Sequence, residues 1–399
     1  MATVVISSYK VSNFSHGGGH FWVYMQYAQG LRQLGCDVYW MENFRGSDDR
    51  ERDASALRTF VERMERFGLS GKVIVYVSRG SARPSCGPYE YVGVTESEAK
   101  ALFRRADLLL NFHYSIDPDL LACFRRTALV DIDPGLLQFW MSRGQLPVHR
   151  HDYYFTTGET VGTPAALFPD CGLPWLHIRP PVCLELWPYV HDAGCEAFTT
   201  VSSWQGSDWI QDGDRLYENT KRVSFLEFAE LPRMTPQVLE LALFLTEKDA
   251  EARRFMESHG WRIRDSRDVA DTPEAYQSYI RSSRGEFSCA KPTCMMFQNA
   301  WVSDRSLCYL ASGKPVVVQN TGPSSILPNG EGMFRFSTMD EAAAALARVN
   351  ADYERHCRAA RELAEACFDA KQVVAGMLNA VGRPNPVRGH AARQDASAP

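Results

Sequence analysis

Between Ser283 and Gly322 the chain reads SRGEFSCAKP and then, from Trp301, WVSDRSLCYLASGKPVVVQNTG. Arg284, Lys291 and Arg305 bring cations to this stretch, Glu286 and Asp304 carboxylates, and Ser288 and Ser306 hydroxyls. The spacing puts them on loops and helix starts, ahead of a short helix, a Gly-Lys-Pro turn and a hydrophobic strand. Cations beside a helix start bind anions well, because the first backbone N–H groups lack helical acceptors and the dipole's positive end lies there. A pyrophosphate suits such a site, with Glu286 or Asp304 to accept from ribose hydroxyls. Taken singly, Arg284 with Glu286 or Asp304 with Arg305 is an ion pair or cap worth about 1 kcal/mol or less. Convergence of several such groups on one crevice is what points to a ligand.

A second group of chemical residues lies near the start, where Ser12 to His20 reads SNFSHGGGH. Gly17, Gly18 and Gly19 form a glycine loop, with His16 and His20 as possible bases. The dinucleotide fingerprint G-x-G-x-x-G is the first pattern to test, since Glu42 follows the next strand at a plausible distance. The three glycines are contiguous, so the spacing fails. Either they let a substrate approach the backbone beside a histidine, or this is a flexible turn whose histidines only pack. Further on, Asp131-Ile132-Asp133-Pro134 closes a strand, and Pro134 forces a turn there. Asp133 or Asp131 then suits a catalytic or acceptor-binding role, whereas the D-x-D spacing as a metal site rests on a pattern common by chance.

The elements that must hold these residues read as alternating strands and helices. Thr3 to Ser8, Cys36 to Met41, Val73 to Val77, Asp107 to Phe112, Ala128 to Asp133 and Tyr153 to Thr157 have the apolar runs of buried strands. Phe21, Tyr24, Met25, Ala28, Leu31 and Leu34 recur at helical spacing up to Gly35, and Ser55 to Phe67 is amphipathic. This pattern predicts a parallel doubly wound sheet over residues 1–180. Gly172 to Pro188, with four prolines, reads as the linker to a second domain over 181–365. There the expected strands are Ala197 to Val201, Val223 to Phe228 and Trp261 to Arg264, with a helix from Lys248 to His259. Thr272-Pro273-Glu274 and Thr338-x-x-Glu341 read as helix starts. Residues 366–382 form an expected C-terminal helix crossing back to the first domain, and 383–399 a disordered tail.

Length and composition fit this plan. The 399 residues exceed one ordinary core, and 45% hydrophobic with 23% charged is globular. A formal net charge of -5 gives no reason to expect nucleic acid or an anionic membrane as partner. No run of about 20 apolar residues predicts an integral membrane segment, and the start MATVVISSYK has no secretory leader. Eleven scattered cysteines without a C-x-x-C pair read as reduced thiols, so the expected location is cytoplasmic.

At Tyr309 to Val317, YLASGKPVV resembles the helix, Gly-x-Pro turn and strand in the donor domain of GT-B glycosyltransferases. The N-terminal strand, glycine loop and helix, and the C-terminal crossing helix, agree with that family's plan of two Rossmann-like doubly wound domains across a cleft. The resemblance implies transfer of a sugar from a nucleotide-sugar donor to a small-molecule natural product or glycan, with no cofactor and no required metal. Donor binding then falls to Arg284, Glu286, Ser288, Lys291, Asp304, Arg305 and Ser306. A base for an inverting transfer comes from His20, His16 or Asp133. The family's commonest retaining pattern has two glutamates, and Cys308 stands where the second belongs, so the stereochemistry does not carry over. A sugar-nucleotide epimerase and a noncatalytic nucleotide-sugar-binding protein are the alternatives; an NAD-dependent oxidoreductase is weakest. Phe14, Phe21, Trp22 and Tyr24 suggest a ring-containing acceptor, or simply core packing.

Overall fold

The computed structural model describes residues 1–14, 16–78, 89–205 and 209–382. The expected tail from 383 onward lies outside them. The chain divides into two compact units. The first comprises Met1–Gly162, Phe168–Ile178 and the segment from Ala370; the second comprises Thr163–Leu167 and Arg179–Asp369.

The first unit's strands are β1 (Thr3–Ser7), β2 (Asp37–Arg45), β3 (Val73–Ser78), β4 (Glu90–Val92), β5 (Leu108–Asn111), β6 (Thr127–Asp131), β7 (Tyr153–Thr156) and β8 (Trp175–His177). They form one sheet in the order β4-β3-β2-β1-β5-β6-β7-β8, parallel except at the β3–β4 pair. The interior strands are buried on both faces, as the mainly apolar runs VVIS, LLLN and TALVD require of a helix-covered parallel sheet. From β1 the chain winds outward to β2 and β3, then returns to place β5 on β1's other side. Loops leaving β1 and β5 therefore diverge, which opens a crevice at the carboxyl ends of those strands.

The second unit has β9 (Ala197–Ser203), β10 (Trp209–Asp212), β11 (Arg215–Glu218), β12 (Val238–Phe244), β13 (Arg262–Asp265), β14 (Gly285–Ser288), β15 (Val316–Gln319) and β16 (Met333–Phe336). Its sheet, in the order β13-β12-β9-β14-β15-β16, is entirely parallel, while β10 and β11 form a separate hairpin. The order again reverses at one place, between β9 and β14. Phe198, Trp204, Phe225, Trp261, Phe287 and Phe336 fill its core, Phe287 stacked on Phe336 at 5.3 Å. No helix among the described residues is long and apolar enough to cross a membrane.

Several expectations need correction. Val223 to Phe228 is no strand: the segment is the helix Lys221–Glu227, which buries Ser224 and Phe225 and leaves the strand position beside β9 to Val238–Phe244. The expected linker contributes β8 to the first sheet, with Ile178 N donating to Thr156 O. Gly18 and Gly19 are not loop residues but open the helix Gly18–Gln33, so only Gly17 precedes it, as the N-cap. The last helix, Ala370–Val381, groups with the first unit and packs on Gly18–Gln33 where Gly30 would hold a Cβ 2.8 Å from the Ala370 carbonyl. Only glycine admits that approach.

Candidate functional site

One strand from the second unit's topological switch point, a recess opens between the carboxyl ends of β14 and β15. Lys221, Ser288, Trp301, Arg305, Ser306 and Gln319 are among its lining residues. Arg305 lies in the first turn of the helix Asp304–Ala311, whose cap is Ser303, accepting from Arg305 N at 3.3 Å. The Arg305 Nε donates to Glu286 Oε1 at 2.6 Å, Nη1 to the Val201 carbonyl at 2.9 Å and Nη2 to Ser288 Oγ at 2.5 Å. A guanidinium has five N–H donors, so these bonds fix its plane and leave further donors for a ligand. Burial opposes the charge, but the Glu286 carboxylate more than offsets that, and the Arg305 pKa is raised.

Lys221 has a different environment. It begins its helix, with Nζ 5.8 Å from the Trp301 ring centre. It is half-buried and has no hydrogen-bonded or ion-paired acceptor among the described residues. Burial, then the nearby Arg305 charge, pushes its pKa down to about 7. Two cations thus meet at one recess, and only one has a carboxylate. An unpaired ammonium in such a place is costly unless an anion binds it. Lys291, capping the helix Pro292–Phe297, adds further positive charge close enough to depress Lys221.

The floor of the recess is held by backbone under strain. Gln298 and Ala300 both adopt left-handed φ, 48° and 55°, in the loop that leads to Trp301. The Thr321 hydroxyl donates to the Trp301 carbonyl at 2.6 Å, Ala300 N to the Thr321 carbonyl at 3.0 Å, and Ala290 N to Gln319 Oε1 at 3.0 Å. These bonds tie the loops after β14 and β15 together.

The predicted donor set therefore divides. Ser288, Arg305 and Ser306 line the recess. Glu286 is fully buried behind Arg305, with Oε2 lacking a partner, and does not line it. Asp304 does not line it either; burial raises its pKa against the pull of Arg305 and Lys221. Cys308 is buried in the same helix, its thiol donating to the Asp304 carbonyl at 3.4 Å. Arg284 does not belong to the site. It precedes β14, and a strand rises about 3.3 Å per residue, so it stands about 13 Å of strand from Ser288, at the opposite end. There its guanidinium lies 3.9 Å from the Tyr353 ring centre and donates to Asn350 Oδ1 at 2.7 Å and the Cys195 carbonyl at 3.3 Å.

In the first unit, the carboxyl ends of β1, β5 and β6 carry Lys10, His113, Tyr114 and Asp133, with His20 in the first turn of the adjoining helix. His20 Nε2 lies 2.7 Å from the Tyr9 carbonyl. A carbonyl only accepts, so Nε2 bears the proton and neutral His20 keeps its lone pair on Nδ1. Burial lowers the His20 pKa, against the Tyr9 hydrogen bond and the Asp133 charge, so the neutral base predominates at neutral pH. Asp133 accepts from the Tyr114 hydroxyl at 3.2 Å. His16 is exposed. Asp131 is buried rather than facing the crevice: Gln138 and Thr156 donate to Oδ2 and Asp133 N to Oδ1. Burial raises its pKa to about 7. Among the described residues no group of three His, Cys, Asp or Glu is placed to hold a metal ion.

Glu42 is no ribose ligand. It is fully buried, accepting from the Ser8 hydroxyl, from Ser12 N and Oγ at 3.1 Å each, and from Trp40 Nε1 at 3.0 Å. Its carboxylate thus anchors the loop that follows β1. Sequence reasoning also missed Lys221, whose signal was the N-T-K of a helix start, and His113. His113 is buried with Nδ1 unpartnered, and burial pushes its pKa down to about 4.

No family model matches this sequence, and no curated protein matches it. Solved structures do match over nearly the whole chain. An alpha-glucosyltransferase in complex with UDP shares 11% identity at a TM-score of 0.59, covering 96% of this chain and 100% of its own. HepE of Anabaena, in complex with UDP-glucose, shares 12% at 0.60, covering 95% and 100%. Sucrose-phosphate synthase of Thermosynechococcus elongatus shares 12% at 0.53, with both chains covered at 100%. The chain has the GT-B fold of these glycosyltransferases.

Proposed function

We propose that the protein is a glycosyltransferase that moves a sugar from a nucleotide-sugar donor to an acceptor hydroxyl. The observation that carries this is the recess at β14 and β15, where Lys221 lacks a counter-ion beside Arg305. Several structures of this fold hold UDP or UDP-glucose. In this reading the donor's pyrophosphate lies against Lys221, Arg305, Ser288 and Ser306, with Lys291 adding charge.

In the reaction the bond between the anomeric carbon and the phosphate oxygen breaks, and the acceptor oxygen bonds to that carbon. Negative charge grows on the departing diphosphate, where Lys221 and Arg305 stabilise it before any solvent must reorganise. We assign this role to side chains, so the transfer requires no divalent ion. Proton removal from the acceptor falls to His20 Nδ1, with Asp133 favouring the imidazolium that forms. Acceptor recognition belongs to the first unit, and the location is cytoplasmic.

The test is calorimetric titration of the protein with UDP, GDP, dTDP and ADP, with and without magnesium, followed by product analysis with the matching nucleotide sugars. Binding of one nucleotide without magnesium, and sugar transfer that survives EDTA, is expected. Absence of binding by all four would remove the reading. Release of free altered sugar without glycoside would favour the epimerase instead.

A further inference from the structure

The loop between β1 and the helix Gly18–Gln33 spends unusual means on displaying side chains to solvent. Phe14 is 53% exposed and Tyr9 39% exposed. Neither ring is free to wander. A Cβ at Gly17 would fall 2.0 Å from Phe14 Cδ1, so the missing side chain at Gly17 is what lets the Phe14 ring lie there. Phe14 also meets His20 edge-on at 5.8 Å, and Tyr9 lies against His113 at 5.1 Å. Beneath the loop, Glu42 holds Ser8 and Ser12. Folding alone favours covering such rings or replacing them with polar residues, since fixed and exposed aromatic surface gains nothing from burial.

Over the Tyr9 ring stands a cation. Lys10 adopts left-handed φ, 58°, which a lysine takes only where the surroundings enforce it. This places Nζ 4.8 Å from the Tyr9 ring centre, exposed, with no ion-paired carboxylate among the described residues. Its charge reaches both His20 and His113. Aromatic faces beside a fixed ammonium suit a ligand with both an apolar C–H face and a negative charge.

We propose that the loop Tyr9–Phe14 is an acceptor subsite for a sugar ring bearing an anionic substituent, with Phe14 and Tyr9 stacking the ring and Lys10 taking the charge. The assignment deepens the transferase reading and rests on it, since contact with His20 puts the Phe14 ring beside the proposed base. A carboxylate, a sulfate and a phosphate share the chemistry; the probes separate them.

The experiment is ligand-observed NMR on the full chain with methyl glucuronide, methyl glucoside 6-sulfate, methyl glucoside 6-phosphate and uncharged methyl glucoside. The charged probes are expected to bind more tightly than the neutral one by roughly tenfold, the scale of one charge-assisted hydrogen bond. Lys10→Gln should abolish that preference, and Phe14→Ala should weaken the charged probes. Both residues are exposed, and unchanged thermal melting would show both variants folded. Equal binding of charged and neutral sugars, no binding of any, or indifference to both substitutions overturns the proposal. UDP titration of the same samples keeps the two readings apart: sugar binding without nucleotide binding sinks the transferase but leaves the subsite.

Discussion

Arg305 Nε and Glu286 Oε1 meet at 2.6 Å with both side chains buried, while Glu286 Oε2 has no partner. The pair is the hinge between packing and chemistry in the second unit. Glu286 orients the guanidinium from behind, and the guanidinium's outward edge lines the recess.

Breaking that pair should damage the fold. Removing one member of a buried pair leaves the other's charge uncompensated, at a cost of about 3–5 kcal/mol. Glu286→Ala should accordingly lower the urea midpoint sharply. Arg305→Ala should lower both the midpoint and nucleotide affinity. A midpoint unchanged by Glu286→Ala would show that the carboxylate does not bear on stability.

Lys221→Met should do the opposite for stability. The folded-state pKa of about 7 lies below the ordinary 10.5, so folding opposes the charged form. That opposition is complete below about pH 7 and fades as pH rises toward 10.5. Methionine removes it, so the neutral-pH melting temperature should hold or rise while nucleotide affinity falls roughly tenfold or more. In the native protein, affinity should be level below about pH 7 and decline above it, because the anion needs the protonated amine. Calorimetry across pH checks both, and a pH-independent affinity would contradict Lys221 as the phosphate ligand.

Arg284→Ala separates the two ends of β14. It loses the stack on Tyr353 and the bond to Asn350, about 1–2 kcal/mol together. Nucleotide affinity should not change. A tenfold loss of affinity with intact stability would return Arg284 to the donor set.

His20→Ala should leave nucleotide affinity intact and reduce transfer by roughly a hundredfold or more, the usual contribution of a general base. Because burial holds its pKa below 6.5, native activity should begin to fall only at pH values beneath the ordinary imidazole range. Transfer rates measured against pH test this, and an acid limb that persists in His20→Ala would assign the base elsewhere.

Much of the fold was legible from local rules. Runs such as VVIS and LLLN, short and rich in β-branched or large apolar residues, read as buried strands where they alternate with helical segments. The caps at Thr272 and Thr338 each accept the expected backbone bond, because that bond is made within one turn. Val223 to Phe228 was misread because Val223, Phe225, Leu226 and Phe228 satisfy the alternation of a strand as readily as the spacing of two helical turns over so short a segment.

The candidate site was legible only in part. That Ser283 to Gly322 carries cations, hydroxyls and a helix start suited to an anion follows from residue types alone, and Ser288, Arg305 and Ser306 do line one recess. Sequence by itself determined that cations, carboxylates and a helix amino terminus lie within one segment, because those are properties of neighbours along the chain. Tertiary structure alone decided which of them share space. Arg284 and Ser288, four residues apart, stand at opposite ends of a strand because β structure is extended, whereas Lys221 joins Arg305 because a parallel sheet returns distant segments to the same edge.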